Sequence, residues 1–379
     1  MKFTRWYDNN HKKILIIPAL LIIISLVYLS YFTVQNQDII YKDVSLTGGT
    51  TITFSTNISV SELQTQLSQT YSDVSVSSIS DNTGKQLGIV VIIPDTNENA
   101  IMNLKTSIQD VVGFQLTDEN SSIEFSGSTL SQDFYSQLVK AVIFAFLLMA
   151  LVVFIVFGEN KKIKVYSILL TAATAILTFS VNNSIKIPLV ISVITVFFYS
   201  LYLSKTKKEY IFSLSLITIF FVFYFLPIYL AIIPLAILLF TIYAVVSVPS
   251  IAVILSAFAD IVIPLAIIDF FGVKISAAGI VAFLMLIGYS VDTDILLTIR
   301  VLKKKNESVN NAIYGAFKTG TSMTLTSMVA ISVALIVVYN FHSILNQIFI
   351  ILIIGLGFDL INTWITNASI IKWYVEKRK

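Results

Sequence analysis

The stretch AAGIVAFLMLIGYSVDTDILLTI, residues 277–299, decides the fold class of this chain. At about 1.5 Å per residue it is long enough to cross a hydrocarbon core of about 30 Å, yet it contains two acids, Asp292 and Asp294. A charged side chain at the centre of a bilayer costs between about 3 and about 10 kcal/mol, so an acid there needs a partner or a role. The stretch therefore predicts a membrane helix that takes part in a polar site.

The whole chain has the composition of a membrane protein. It is 56% hydrophobic and 12% charged, with a mean hydropathy of +0.84, which excludes a soluble globular protein. It has no cysteine and only two histidines, so we expect neither a disulfide scaffold nor a metal site, and no cofactor. Its small net charge of +3 gives no indication of nucleic-acid binding. No nucleophile and base are clustered, so we do not expect an enzyme.

Apolar runs of spanning length recur along the chain and predict ten transmembrane helices. The first, residues 14–33, is too long for a signal-peptide core and has no cleavage site after it, so we interpret it as a retained anchor. The others are predicted at 138–157, 165–181, 187–203, 210–227, 230–246, 250–271, 277–299, 321–339 and 344–370.

The basic residues predict the orientation of these spans. If the N-terminus is cytoplasmic and all ten spans cross, most of the 25 Lys and Arg residues lie in cytoplasmic loops and tails, as the positive-inside rule requires. Merging the span at 230–246 with a neighbour would move the basic loop 300–318 outside. We therefore predict a multi-pass protein of the cytoplasmic membrane with both termini in the cytoplasm.

One sizeable water-exposed domain, residues 34–134, is predicted between the first two spans. It holds more than half of the 22 acidic residues, which is typical of an extracytoplasmic segment. Alternating and helical patterns follow one another in the order βαββαβ, which is the ferredoxin-like split unit. Without a catalytic cluster, such a domain is expected to bind a partner or to act as a lever.

Four acids are predicted to lie deep in the membrane. Counted from the inner ends of their spans, Asp260, Asp292 and Asp359 lie at depths of about 15, 10 and 16 Å, so they share one layer. Asp294 is about 200° around the helix from Asp292, so only one of the two faces the bundle interior. No Lys or Arg lies at that depth, so these acids are proton-relay or coupling candidates, with a buried, neutral, hydrogen-bonded carboxyl as the alternative.

Small and polar residues accompany these acids and predict a polar stripe in the bundle, with room for close helix approach. The alternative is that hydroxyls and amides only hold the helices together, and we favour it for the Ser- and Thr-rich penultimate span. The stripe comprises Gly288, Ser290, Thr326, Asn362 and Thr363.

The segment 286–300, LIGYSVDTDILLTIR, closely resembles the fourth-span motif of the SecF family of protein-export membrane proteins in its archaeal form. Further similar segments are VPSIAVIL at 248–255, KTGTSMTLTS at 318–327 and DLINTWITN at 359–367. A weaker resemblance is the Gly-Gly signature of the outer domain, at Thr47, Gly48, Gly49 and Thr50.

The resemblance implies a helix bundle of the RND superfamily and a role in Sec protein export with proton flow as a driving force. It also implies three partners: a SecD-like membrane protein as a heterodimer, the Sec translocon channel and the unfolded polypeptide in transit. Asp292 occupies the position of an Asp in the corresponding span of SecD, whereas bacterial SecF has an Asp one residue later, where this chain has Thr293. Ser45 replaces the Asp that usually precedes the Gly-Gly signature.

The resemblance divides the chain into five regions. They are an N-terminus with the first span at 1–33, the outer domain at 34–134, the second span at 135–157, an inserted annex of four spans at 158–246, and four family-type spans with a basic tail at 247–379. The leading hypothesis is an accessory subunit of protein export. The rival is a stand-alone RND-type exporter of small molecules or lipids, although such proteins usually carry two large outer domains.

Overall fold

The structure is a computed structural model that describes residues 2–168 and 247–378, apart from 72–73, 81–84, 96, 127, 159–160, 162–163, 166–167, 304–306 and 339–343. The described part is mostly helical and contains one small antiparallel sheet. The four spans predicted between 165 and 246 lie almost wholly outside the described residues, as does His342.

The sheet domain follows the first membrane helix. A short helix α3 (Val44–Thr47) leads into β1 (Gly49–Phe54), and α4 (Val60–Leu67), β2 (Ser75–Ser80), β3 (Gln86–Ile93), α5 (Glu98–Val112) and β4 (Ser121–Ser126) complete the domain. The strands are arranged in the order β2-β3-β1-β4, and each neighbouring pair is antiparallel. After α3, helices and strands therefore alternate as βαββαβ.

Alternation along the strands gives this sheet one apolar face. Ile52 and Phe54 of β1 are buried, whereas Thr51 and Thr53 between them are half-buried on the opposite face. The helices α4 and α5 cover the apolar face with side chains at three- and four-residue spacing. Their buried members are Leu63, Leu67, Leu104 and Ile108. The domain thus has its own hydrophobic core.

Six helices in the described part are long and apolar enough to span a membrane: Asn10–Asn36, Leu130–Phe157, Val248–Phe270, Ala277–Lys303, Val309–Val338 and Leu345–Arg378. They correspond to the predicted spans at 14–33, 138–157, 250–271, 277–299, 321–339 and 344–370. The chain is therefore a multi-pass membrane protein.

The helices of this bundle are α1 (Lys2–Ile14), α2 (Ile16–Asn36), α6 (Ser128–Phe157), α7 (Val248–Phe270), α8 (Ala277–Lys303), α9 (Val309–Val338), α10 (Ile344–Ile361) and α11 (Ala368–Arg378). Between α10 and α11 the chain forms a π-helical segment, Asn362–Asn367. Helix α7 is central, since most of its residues are buried among α2, α6, α8 and α10, whereas few residues of α9 are buried.

The sheet domain is joined to the bundle by the strand-like segment that precedes it. Tyr41 O accepts a hydrogen bond from Ile275 N at 2.6 Å, and Asp43 N donates to Ile275 O at 3.0 Å, which makes a parallel β-bridge to the loop between α7 and α8. Asp38 accepts from the Tyr135 hydroxyl of α6 at 2.5 Å and pairs with Lys42 at 2.7 Å. These contacts attach the segment before the sheet to α6 and to the loop between α7 and α8.

Residues on the two sides of the predicted annex lie next to each other. Ser247 Oγ, at the start of α7, donates to Phe157 O, at the end of α6, at 3.5 Å. A segment that leaves and returns at one place can be added without moving the helices around it. The boundaries 158 and 246 themselves stay a prediction.

The contact between α8 and α10 gives a test of this packing. A Cβ on Gly355 would overlap the buried Leu286 side chain of α8, whereas a Cβ on Gly357, half a turn away, would meet no atom within 4 Å. We expect Gly355→Val to destabilise the protein by about 1–3 kcal/mol, because overpacking forces helices apart, and to lower its melting temperature in detergent.

Gly357→Val is the matched control and should leave the melting temperature nearly unchanged. Leu286→Ala should recover part of the loss when combined with Gly355→Val. Equal effects of the two valines would contradict the packing described.

Candidate functional site

Asp260 lies in the middle of α7 and is fully buried. Its carboxylate accepts a hydrogen bond from Ser290 Oγ of α8 at 2.5 Å and one from Asn362 Nδ2 of the π segment at 2.6 Å. Ser290 and Asn362 are fully buried as well. Three different elements therefore meet at this carboxyl, and polar groups replace the water that it would otherwise bind.

Asp294 of α8 is the second buried carboxyl. Asn367 Nδ2 donates to its Oδ1 at 2.8 Å and also to its main-chain carbonyl at 3.2 Å, so the amide fixes both the side chain and the helix. The other carboxylate oxygen, Oδ2, is buried without a hydrogen-bond partner in the described part of the chain.

Asp359 of α10 is the third buried carboxyl. It accepts hydrogen bonds from Thr363 Oγ1 at 3.1 Å and from Thr324 Oγ1 of α9 at 3.4 Å. The three acids belong to three helices that pack on one another, α7, α8 and α10. We call Asp260, Asp294 and Asp359 the carboxyl layer.

Asp292 lies elsewhere. Its side chain is exposed on the outside of the described bundle, whereas Asp294 is fully buried. The expectation that Asp292 shares an interior layer with Asp260 and Asp359 is therefore wrong, and Asp294 takes that place. The physical reason is the rotation of α8: the side chains of Ser290, Thr293 and Asp294 point into the bundle, and Asp292 points away from it.

The predicted polar stripe is divided in the same way. Ser290, Asn362 and Thr363 are buried beside the carboxyls, as described above. Thr326 is exposed on α9 and donates to its own helix at Ser322 O at 2.7 Å, so it is not part of the site. Gly288 is exposed and a Cβ there would meet nothing within 4 Å, so among the described residues it provides no close helix contact.

The Gly-Gly signature forms the turn between α3 and β1, far from the carboxyls in the chain. Gly48 has a φ of 80°, a left-handed conformation that favours glycine, and Gly49 is the first residue of β1. Thr47 Oγ1 donates to Asp43 O at 3.4 Å, and Thr50 Oγ1 donates to Asp95 O at 2.8 Å. These bonds position the strand, and no ligand role is needed to explain them.

Two functional residues were not predicted as site residues. Asn367 holds Asp294, and Thr324 contacts Asp359. The sequence offered one indication that Asn367 belongs to the site. It is the second asparagine of the segment 359–367, five residues after Asn362. In α-helical geometry residues five apart lie on different sides, so only the π-helical geometry explains why both amides reach carboxyls.

Chemically, the site offers three titratable carboxyls in a buried setting. Three carboxyls lie at one level, and their hydrogen-bond partners are neutral hydroxyls and amides. Among the described residues no Lys or Arg pairs with any of them, and no group of three acids or histidines has the arrangement of a metal site. These features define a multi-pass membrane protein whose bundle encloses a carboxyl layer and carries one domain on its surface.

Comparison with known proteins shows similarity to one family. The C-terminal model of the protein-export membrane proteins SecD/SecF matches residues 211–377, beginning inside the segment predicted to be an annex. SecF of Methanolacinia petrolearia is 28% identical over 99% of this chain and 98% of its own length. SecF of Methanothermobacter thermautotrophicus and of Pyrococcus furiosus are 46% and 43% identical over 35% of this chain, and these matches span less than half of each relative.

A solved structure agrees at the level of the fold. SecDF of Thermus thermophilus, described as a translocon-associated membrane protein, has a TM-score of 0.52 at 12% identity and covers 99% of this chain and 39% of its own. The chain is thus similar to the SecD/SecF family of protein-export membrane proteins, and its fold is similar to that of SecDF.

The different placement of Asp292 and Asp294 can be tested with thiol chemistry, because the chain has no native cysteine. In the isolated protein in detergent, Asp292→Cys should react with N-ethylmaleimide about tenfold or more faster than Asp294→Cys, since access limits the reaction of a buried thiol. Mass spectrometry of the intact protein measures both rates.

Denatured samples of both variants should react equally fast, which controls for the reagent. A rate at residue 294 equal to that at 292 in the folded protein would contradict the rotation assigned to α8.

Proposed function

We propose that this chain is an accessory subunit of Sec protein export, which acts with a SecD-like membrane protein to promote the passage of secreted proteins across the cytoplasmic membrane. The match to the family model and the names of the relatives support this proposal. The observation that carries its mechanism is the carboxyl layer, which lies in helices that also hold the sheet domain.

The orientation follows from charge. We propose that the sheet domain is outside, has the ferredoxin-like fold, and contacts the chain in transit. Both termini lie on the opposite side of the bundle, where the described basic residues include Lys12, Lys13, Lys303, Lys377 and Arg378. The positive-inside rule makes that side cytoplasmic.

The exposed stripe of α8 is the surface that we assign to the partner. It consists of Val281, Met285, Gly288, Tyr289 and Asp292, which follow one another at three- and four-residue spacing or less and form one face of the helix. Asp292 has no hydrogen bond or ion pair within the described residues. A carboxylate facing lipid is costly, and we propose that a second protein covers it.

Several properties of this stripe suit a membrane-helix partner. Gly288 leaves open space in which another helix can approach closely. Asp292 can pair with a hydrogen-bond donor on that helix. A SecD-like protein is the occupant we propose, because the relatives of solved structure combine SecD and SecF in one chain, of which this chain covers 39%.

Proton occupancy of the carboxyl layer is the coupling we propose. Three carboxyls close together in a medium of low dielectric constant cannot all be ionised without cations, and the described residues supply none. Protons are the source of compensation that we propose. A change in their number changes the hydrogen bonds between α7, α8 and the π segment.

The route from this layer to the outer domain is short. Helix α7 carries Asp260 at its centre and Asp269 at its domain end, where Asp269 Oδ1 accepts from Tyr41 N at 3.3 Å. The loop after α7 holds Ile275, which bridges to Lys42. A displacement of α7 relative to α8 therefore acts directly on the segment that enters β1.

The partner interface predicts a specific crosslinking pattern in native membranes. Tyr289→Cys, in the assigned stripe, should crosslink through a bifunctional maleimide to one protein of the SecD type, because the stripe faces it. Ile24→Cys on α2, which replaces a residue with 62% exposure, is the control and should give no such product. Mass spectrometry identifies the crosslinked partner. Equal yields of the product from both positions would contradict the assignment, as would a product that contains only lipid-exporter subunits.

The proton-coupled mechanism predicts a loss of export. In cells that depend on this chain, Asp294→Asn should reduce the rate of export of a secreted reporter by about tenfold, since one less titrating carboxyl removes the coupling. Export by this variant should also lose its sensitivity to a proton ionophore. Pulse-labelling of the reporter measures both.

Ser322→Ala, on the exposed face of α9, is the control and should export normally. Unchanged export and unchanged ionophore sensitivity in Asp294→Asn would refute proton coupling at this layer, whereas the assignment to protein export would still stand on the crosslinking result.

A further inference from the structure

The last membrane helix changes its geometry at the carboxyl layer. Helix α10 ends at Ile361, the six residues Asn362–Asn367 are π-helical, and α11 begins at Ala368. π-helical turns are rare and occur mostly where a function requires them. Four polar residues of this segment are almost completely buried: Asn362, Thr363, Thr366 and Asn367.

The π geometry determines which side chains of the segment point the same way. In an α-helix residues five apart are separated by about 140° around the axis. Hydrogen bonding from residue i to i+5 brings them close to one face. Asn362 and Asn367 are five apart, so the π turn lets one helix direct both amides towards its neighbours α7 and α8.

All three carboxyls are bonded to this one segment. Asn362 donates to Asp260, Thr363 donates to Asp359, and Asn367 donates to Asp294, at 2.6, 3.1 and 2.8 Å. The segment is thus the only element in the described part of the chain that contacts the side chain of every member of the carboxyl layer through hydrogen bonds.

We propose that Asn362–Asn367 senses the charge of the carboxyl layer: it is held in the π form while its amides donate to ionised carboxylates, and it relaxes towards α geometry when protons neutralise them. Asn362 and Asn367 are then positioning residues. This inference rests on the proposed role of the layer in coupling and names the element that responds.

The physical reason lies in the strength of the bonds. A hydrogen bond to a charged acceptor is roughly twice as strong as one between neutral groups. Protonation of a carboxyl therefore weakens the bond that keeps its amide in place. Two polar atoms of the π turn, Asn362 Oδ1 and Thr366 Oγ1, are buried without a partner in the described residues, so the bonds to the carboxyls are a main polar contribution to its stability.

Few titratable or charged groups face the segment, and one of them is the Tyr7 hydroxyl of α1, which donates to Trp364 O at 3.1 Å. Asp260 of α7, Asp294 of α8 and Asp359 of α10 are the acids at its level. The nearest other charged groups on those helices and on α11 point elsewhere: Asp292 is exposed, and Lys372 pairs with Asp8 of α1 at 2.6 Å. The tyrosines of α2, Tyr28 and Tyr31, lie towards the domain end of the bundle.

A change of geometry here reaches the far side of the bundle. Removing the extra residue of a π turn rotates the helix that follows by about 100° relative to the helix before it. The following helix, α11, contains Lys372, which is 2% exposed, and Ser369, which hydrogen-bonds the Tyr7 hydroxyl at 3.0 Å. Asn310 of α9 also donates to Asp8 at 2.9 Å. Helix α1 is thus tied to the element that responds.

The chain contains a built-in probe of this segment. It has three tryptophans, of which Trp364 lies inside the π turn. The Trp364 ring meets Phe317 of α9 edge-on with ring centroids 5.0 Å apart, and it lies against Gly320. Rotation of the segment would remove these contacts and change the emission of the indole.

The experiment uses the full chain in liposomes with Trp6→Phe and Trp373→Phe, which leave Trp364 as the single tryptophan. We expect its emission to change in a titration between about pH 5 and pH 9, as neutralisation of the carboxyls releases the segment. In Asn367→Leu and in Asn362→Leu the pH-dependent change in Trp364 emission should be at least about threefold smaller, because the amide that donates to the carboxyl is absent. Ser322→Ala should titrate like the parent.

Two outcomes would overturn the proposal. The first is an emission of Trp364 that does not change with pH in the parent, a result that needs no substitution in the segment. The second is a titration of full amplitude in both leucine variants; Thr363→Val is a milder variant for the case in which either leucine prevents folding. The emission of Trp364 is measured independently of export. If it does not change with pH while Asp294→Asn still loses export, the proposed sensing role of the π segment is refuted and the proposed function stands.

Discussion

The hydrogen bonds that Asn362 and Asn367 donate to Asp260 and Asp294 are the interactions on which the rest of the bundle depends. Carboxyl groups taken out of water must be hydrogen-bonded, neutralised or paired. In the described part of this chain no cation pairs with them, so neutral amides and hydroxyls from three other positions surround them. This requirement fixes how α7, α8 and the π segment are rotated relative to one another.

The same helices fix the outer domain. The segment that enters the sheet bonds to Asp269 of α7 and, through a β-bridge, to Ile275 before α8, while Asp38 bonds to Tyr135 of α6. Backbone hydrogen bonds of this kind transmit displacement more directly than a flexible linker would. The domain and the carboxyl layer are therefore mechanically continuous, although α7 alone separates them by more than two helical turns, from Asp260 to Asp269.

Much of the fold was accessible from sequence patterns, because apolar length and strand alternation are local properties. The six described spans lie where apolar runs predicted them, and the sheet domain has its strands and helices in the predicted sequence. The choice between Asp292 and Asp294 was not accessible. Helical spacing shows that the two point in nearly opposite directions, but it does not show which direction is the interior, since α8 is apolar on most of its circumference.

Residue patterns alone predict that this chain crosses a membrane several times, that it carries one α+β domain between its first two spans, and that acids lie within the bilayer. These are consequences of solvent: apolar length and charge respond to lipid and water without reference to other helices. Which acids face one another, and that one helix adopts a π-helical turn to reach them, became clear from the packed bundle. Those outcomes depend on contacts between residues distant in the chain: Ser290 and Asn362 lie 30 and 102 residues from Asp260. There the need to satisfy a buried carboxyl outweighs the local preference for a regular α-helix.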